Sequence, residues 1–114
     1  MVNSYIPKQK DIVLLDFTPT KGHEQKGYRP AIVISNDTFN KNTKMVILCP
    51  ITSNCKNPPI HYQLHDSKQV KGSVLCEHIR SIDYEIRNLK FVEKASNEDF
   101  ENILDLLNAC LKAN

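Results

Sequence analysis

The feature of this sequence that most restricts its fold is a series of short apolar runs, each closed by turn-forming residues. The runs are rich in valine, isoleucine and leucine, and proline, threonine or asparagine follows the longer ones. Runs of this length and composition predict buried strands rather than helices. The predicted strands are residues 11–17, 30–35, 45–49, 61–64, 73–76 and 89–92.

Other segments are predicted to connect or end these strands. Residues 36–44 are predicted to form a connecting loop with one helical turn near 38–41, and residues 78–83 to link the last two strands. Pro50 is predicted to end the third strand, because proline has no N–H to donate within a sheet. The polar, glycine-flanked segment 21–28 is predicted to be a loop of a length that is typical of functional loops.

The hydrophobic period changes to that of a helix near the end of the chain. Ser96 is a favourable N-cap, and Glu98 and Asp99 complement the helix dipole in the first turn. Many short strands followed by one helix predict a mainly β fold, a small, strongly bent antiparallel barrel covered by that helix. We expect residues 1–114 to form a single domain. The predicted apolar stripe is Phe100, Ile103, Leu104, Leu107, Cys110 and Leu111.

Composition favours a cytoplasmic protein. The 114 residues contain no apolar run of about 18 residues, the length of a membrane span, and no signal-like start. The cysteines, Cys49, Cys55, Cys76 and Cys110, lack the paired spacing of zinc sites, so we expect reduced core residues and no metal or cofactor. The histidines are expected at the surface.

Charge is distributed unevenly along the chain. Residues 1–90 carry thirteen Lys and Arg against eight Asp and Glu, whereas residues 91–114 carry two against five. Such an excess is compatible with an RNA-binding surface, although charge alone favours an ordinary mixed solvated surface.

One end of the predicted sheet collects polar side chains. The second and third strands are joined by a short connection, so antiparallel pairing should make Arg29 and Thr52 neighbours. The loop containing Glu24 and Gln25 leads directly into Arg29. A guanidinium group and a hydroxyl group in one place suit a phosphodiester, because both donate hydrogen bonds to phosphate oxygens.

Residues 21–30, Lys-Gly-His-Glu-Gln-Lys-Gly-Tyr-Arg-Pro, resemble the signature loop of the MazF/PemK toxin family. Segments 11–13, 16–19, 49–53 and 79–83 match the family in the same order. The resemblance implies an SH3-like barrel and a homodimer. It also implies a sequence-specific, metal-independent endoribonuclease that cleaves single-stranded RNA and is neutralised by a MazE-like antitoxin.

The resemblance also suggests roles for individual residues. Arg29 matches the catalytic arginine, which would stabilise developing charge, and Thr52 matches the catalytic threonine, which would orient the phosphate. Glu24 is assigned as general base, and His23 is a competing candidate because its ordinary pKa is near ~6.5. The residues assigned to RNA binding are Lys21, His23, Gln25, Tyr28, Ser53 and Asn54.

Two alternatives belong to other functional classes. A CcdB-like toxin that inhibits a protein such as DNA gyrase shares the barrel, but it relies on a C-terminal Trp-Gly-Ile, and this chain has no tryptophan. A non-catalytic RNA-binding barrel would typically present several aromatic side chains for base stacking, and only Tyr28 and Tyr62 fall in suitable segments.

Overall fold

Antiparallel strands dominate the computed structural model, which describes residues 5–16, 28–53 and 60–114. Residues Cys76–His78 form a 3₁₀ turn. The strands are β1 (Asp11–Asp16), β2 (Tyr28–Val33), β3 (Met45–Thr52), β4 (His61–Gln63), β5 (Ser73–Leu75), β6 (Arg80–Asp83) and β7 (Lys90–Lys94), and the helices are α1 (Asp37–Thr43) and α2 (Asn97–Leu111).

The strands pair in the order β4-β5-β3-β2-β1-β7, and β6 pairs separately with β3. Every pairing is antiparallel. Within the described ranges the ladder ends at β4 on one side and at β7 on the other, so backbone pairing does not close it into a full barrel. The predicted architecture, a mainly β fold with a C-terminal helix, is confirmed.

β3 runs through Pro50, so the prediction that this proline ends the strand is wrong. On one edge, β3 pairs with β6 as far as Leu48 and with β5 from Ile51 onward. Pro50 therefore lies where the strand changes partners, and its missing N–H costs little there. Because β3 pairs with β5 beyond this point, the strand continues to Thr52.

Two apolar cores pack on opposite faces of the sheet, because consecutive side chains of a strand alternate between faces. The first core packs against α2, and the second lies on the other face. Members of the first core include Ile12, Ile32, Cys49, Ile51, Val74, Phe100, Ile103 and Leu107. The second core contains Val13, Leu15, Ala31, Val33, Val46, Leu48, Ile82, Tyr84 and Leu89.

Two predicted connections contain regular structure. Residues 80–83 form β6 rather than a link; only Ile82 in that strand is buried, so no local apolar run announces it. Residues 37–43 form α1, which is longer than the predicted single turn. Asn36 caps α1 by accepting a hydrogen bond from the Phe39 N–H at 2.8 Å.

Helix α2 agrees with its prediction through most of its length. Ser96 caps it, with the Asp99 N–H donating to the Ser96 Oγ at 3.0 Å. The stripe reaches the core through Phe100, Ile103 and Leu107, whereas Leu111 is 75% exposed. Among the described residues, no helix is both long and apolar enough to cross a membrane.

The cysteines divide into buried and exposed positions. Cys49 and Cys76 are buried in the first core, as predicted, and Cys55 lies outside the described residues. Cys110 is exposed, so its assignment to the core is wrong. It lies in the final turn of α2, which no longer packs on the sheet.

Candidate active site

The register of β2 and β3 sets the relation between Arg29 and Thr52. The pairing proceeds from Val33 opposite Leu48 to Ala31 opposite Pro50. The observed pairs end there; two residues further along the same register, Arg29 would lie opposite Thr52, which is the arrangement that the sequence predicts. On its other side, Arg29 is paired with Leu15 of β1.

Strand alternation places both side chains on the same face of the sheet. Arg29 shares its face with Ala31, and Thr52 shares its face with Leu48; both apolar residues belong to the second core. Arg29 is exposed and Thr52 is half-buried, so they lie at the rim of that core. Opposed residues on adjacent strands have Cβ atoms about 4.5–5.5 Å apart, within reach of one phosphate group.

The backbone of Thr52 is supported by β5. Thr52 pairs with Ser73, which is fully buried. The residue before it, Gly72, has a φ of +138°, and a Cβ at this position would lie 2.2 Å from the Thr52 carbonyl oxygen. Only glycine allows this close approach, so Gly72 determines how closely the start of β5 packs against the end of β3.

Replacement of Gly72 with alanine should destabilise the protein and disturb Thr52. The positive φ costs about 1–3 kcal/mol for a residue with a side chain, and the overlap with a backbone oxygen adds to this cost. Denaturant unfolding should show the loss, whereas Lys68→Ala, a change at an exposed position of the same loop, should stay within about 0.5 kcal/mol. A Gly72→Ala variant as stable as the parent protein would contradict this account.

Tyr28 lies at the start of β2, opposite Asp16 of β1. It is 39% exposed, its hydroxyl accepts a hydrogen bond from Asn88 Nδ2 at 2.9 Å, and Lys90 Nζ lies 5.1 Å from its ring centroid. Arg87 Nη1 donates to the Asp16 carbonyl oxygen at 3.3 Å. Lys90 therefore accompanies Tyr28, and Arg87 binds the backbone of its strand partner, but alternation turns the Tyr28 side chain to the face opposite Arg29.

Of the remaining predicted site residues, one is among the residues that the structure describes and the others are not. Ser53 directly follows β3 and is exposed. Five others lie outside the described residues, so their assignments stay predictions. These are Lys21, His23, Glu24, Gln25 and Asn54.

Cysteine, histidine and metal chemistry are less favoured by the surroundings of the residues that would carry them. A hydrogen bond with Cys76, together with burial, raises the pKa of the Cys49 thiol far above its ordinary value, so that thiol stays protonated. His61 is not a surface histidine as predicted, because its side chain is only 10% exposed and its Nε2 lies 2.7 Å from Glu77 Oε2. Within ranges 5–16, 28–53 and 60–114, no group of three or more His, Cys, Asp or Glu side chains could hold a metal ion.

Sequence analysis missed the support that Gly72 gives to Thr52. The signal for it was present, since Gly72 is one of only three glycines and directly precedes a predicted strand. Such a glycine often marks a close approach of two backbones.

Comparison with known proteins places this chain and its fold among the toxins of type II toxin–antitoxin systems. The sequence model described as PemK-like, MazF-like toxin of type II toxin-antitoxin system matches residues 8–111. This protein belongs to the PemK/MazF toxin family.

Individual relatives, compared by sequence and by structure, agree with this family assignment. The endoribonuclease toxin MazF of Escherichia coli K12 is 32% identical over 111 residues, which cover 97% of this chain and 99% of that protein. The endoribonuclease MazF of Staphylococcus epidermidis is 35% identical, with 87% and 88% covered. The crystal structure of MazE–MazF (Form II) from Deinococcus radiodurans superimposes with a TM-score of 0.89 at 34% identity, covering 97% of this chain and 100% of that one.

Proposed function

We propose that this protein is an endoribonuclease toxin that cleaves single-stranded RNA at a short recognition sequence. The observation that supports the proposal is the antiparallel register of β2 and β3, which, extended by two residues beyond Ala31 and Pro50, brings Arg29 opposite Thr52 on one face of the sheet. Relatives named as endoribonucleases share nearly the whole length of the chain, which favours RNA as the target over a protein such as gyrase.

In the proposed mechanism the nucleophile comes from the substrate. A ribose 2′-hydroxyl attacks the adjacent 3′-phosphate and gives up its proton, the bond from phosphorus to the 5′ oxygen breaks, and that oxygen takes up a proton from Arg29 or water, so the products are a 2′,3′-cyclic phosphate and a 5′-hydroxyl. Arg29 stabilises the charge that develops on the phosphoryl oxygens, and it cannot act as a base because its pKa exceeds ~12. Thr52 orients the phosphate, and Glu24 accepts the proton of the 2′-hydroxyl. No step requires a metal ion, since the guanidinium group supplies the positive charge.

The proposal extends to partners and location. The solved MazE–MazF structures support a MazE-like antitoxin as the partner that neutralises this chain. We assign the protein to the cytoplasm, where its RNA substrate is found, and to a homodimer, because one small sheet offers little surface for reading several bases. Ser53 would contact RNA together with Lys21, His23, Gln25 and Asn54, and Tyr28 would do so from the other face of β2.

Incubation with a long single-stranded RNA in excess EDTA tests this function. We expect a small set of discrete fragments whose ends map to one recurring short sequence, and the same pattern without chelator. Fragments that disappear on chelation would contradict the metal-independent mechanism. Growth arrest in cells with no cleavage of any RNA would instead indicate a protein target.

A further inference from the structure

The loop between β4 and β5, residues 64–72, is bound by a carboxylate at the opposite end of the sheet. Glu93 of β7 accepts three backbone hydrogen bonds from this loop. The N–H of Lys68 donates to Oε1 at 3.0 Å, and those of Gln69 and Val70 donate to Oε2 at 2.9 and 2.8 Å. Because β4 and β7 are the two ends of the ladder, Glu93 joins edges that strand pairing leaves apart.

A second carboxylate holds the beginning of the same loop. Asp99 of α2 is 1% exposed and accepts from the Asp66 N–H at 3.0 Å and from the Tyr62 hydroxyl at 2.7 Å. The Asp99 backbone also takes part in the Ser96 cap, so its replacement would disturb α2 as well. Glu93 is half-buried, and the three hydrogen bonds of its side chain all come from this loop. It is therefore the better residue to substitute.

The far end of the loop touches the candidate active site. Residue 72 is the glycine whose α-carbon lies against the Thr52 carbonyl group, and the next residue pairs with Thr52. Residues 68–70, which Glu93 binds, are two to four positions before that glycine. A movement of this anchored segment would therefore reach Thr52 through one intervening residue, Lys71, and the buried Gly72.

Glu93 is ionised at neutral pH. Burial raises the pKa of its carboxyl group, but the three backbone N–H donors and the charge of Lys71 lower it more, so the pKa lies below its ordinary value. A lowered pKa in the folded state means that the contribution to stability is complete above the ordinary glutamate pKa of about 4.3 and is lost at more acidic pH. The three hydrogen bonds are therefore made by a charged acceptor under the conditions of an RNA assay.

We propose that Glu93 is a positioning residue for RNA cleavage, because it holds the β4–β5 loop so that Gly72 fixes Thr52 opposite Arg29. This inference rests on the proposed function of Thr52. Glu93 itself touches no reacting atom. Its effect should appear in the chemical step, since misplacement of a reacting group by about 1 Å can cost 100-fold in rate.

A double-mutant cycle between Glu93→Gln and Thr52→Ala tests the proposal. The substrate is a synthetic single-stranded oligoribonucleotide that carries one mapped cleavage site, and rates are expressed per folded molecule. Glutamine has the same shape, but it loses the charge and turns an N–H₂ group toward backbone donors. We expect Glu93→Gln to lower kcat about tenfold or more with KM within about twofold. In the Thr52→Ala background, Glu93→Gln should change kcat by less than about twofold, since the two residues act through one group.

Two further measurements separate positioning from folding. Amide hydrogen exchange at residues 68–70 should become faster in Glu93→Gln, and Glu101→Gln, at an exposed position of α2, should change neither exchange nor kcat. If Glu93→Gln does not fold, Glu93→Asp carries the same test, because it keeps the charge and shortens the side chain by one methylene.

The outcomes distinguish this inference from the function on which it rests. If Thr52→Ala leaves kcat intact, the proposed role of Thr52 is wrong. If Thr52→Ala lowers kcat but Glu93→Gln does not, only the positioning inference is overturned. Equal losses from Glu93→Gln in both backgrounds would also overturn it, since Glu93 would then act independently of Thr52.

Discussion

Arg29→Ala should lower the rate of RNA cleavage by about 10²–10³-fold, the usual effect of removing one preorganised donor from a developing oxyanion. Arg29 is the cation that the extended register of β2 and β3 brings opposite Thr52, and its side chain is exposed at the rim of the second core. Its truncation should therefore change the free energy of unfolding by no more than about 0.5 kcal/mol. Single-turnover cleavage of a mapped oligoribonucleotide measures the first effect, and denaturant unfolding measures the second.

Lys41→Ala is the matched control for this prediction. Lys41 is an exposed cation on α1, which precedes β3, whereas Thr52 lies at the other end of that strand. Loss of one positive charge at this position should leave the cleavage rate within about twofold, because exposed charges separated by more than about 10 Å are largely screened by salt. A folded Arg29→Ala variant that retains the parental rate would remove Arg29 from the site.

Replacement of a single 2′-hydroxyl in the substrate should stop cleavage completely. The critical ribose is the one on the 5′ side of the scissile phosphate, because its hydroxyl is the nucleophile in the proposed mechanism. A 2′-deoxy substitution one nucleotide away should leave cleavage intact, and it provides the matched control. Mass spectrometry of the all-ribose substrate should show a 2′,3′-cyclic phosphate on the upstream fragment.

The same experiment discriminates against attack by water. Water as the nucleophile would leave a simple monophosphate, and it would tolerate the deoxy substitution. Normal cleavage of the deoxy-containing strand would therefore refute the mechanism even if Arg29 and Thr52 proved essential.

Local sequence pattern was sufficient for the strands with continuous apolar runs and for α2. β1 and β3 carry such runs, and Ser96 with its acidic first turn marks the start of α2. β6 escaped prediction because its Arg80 and Ser81 are exposed and its stability comes from pairing with β3. The antiparallel pairing of β2 with β3, from which the neighbourhood of Arg29 and Thr52 is inferred, was predictable because the two strands are consecutive.

Long-range polar contacts account for what sequence could not predict. In the sequence, nothing distinguishes Glu93 from a solvent-exposed charged residue of a strand. Its three backbone donors lie 23 to 25 positions earlier in the chain. Asp99 was expected only to complement the helix dipole, yet its carboxylate also binds residues 33 to 37 positions away. Such contacts follow from the assembled fold, and no local pattern encodes them.

The pairing of β1 with β7 has a consequence for the synthesis of a toxic protein. This ladder joins Asp11 to Lys94, so β1 can complete its pairing only after residue 94 has been synthesised. Glu93 lies in the same late strand, and α2 emerges later still. Contacts of such sequence separation form slowly and only after the intervening chain is present. A nascent polypeptide without β7 therefore lacks the Glu93 contacts that hold the β4–β5 loop, and the proposed support of Thr52 is complete only after residues 90–94 have been synthesised.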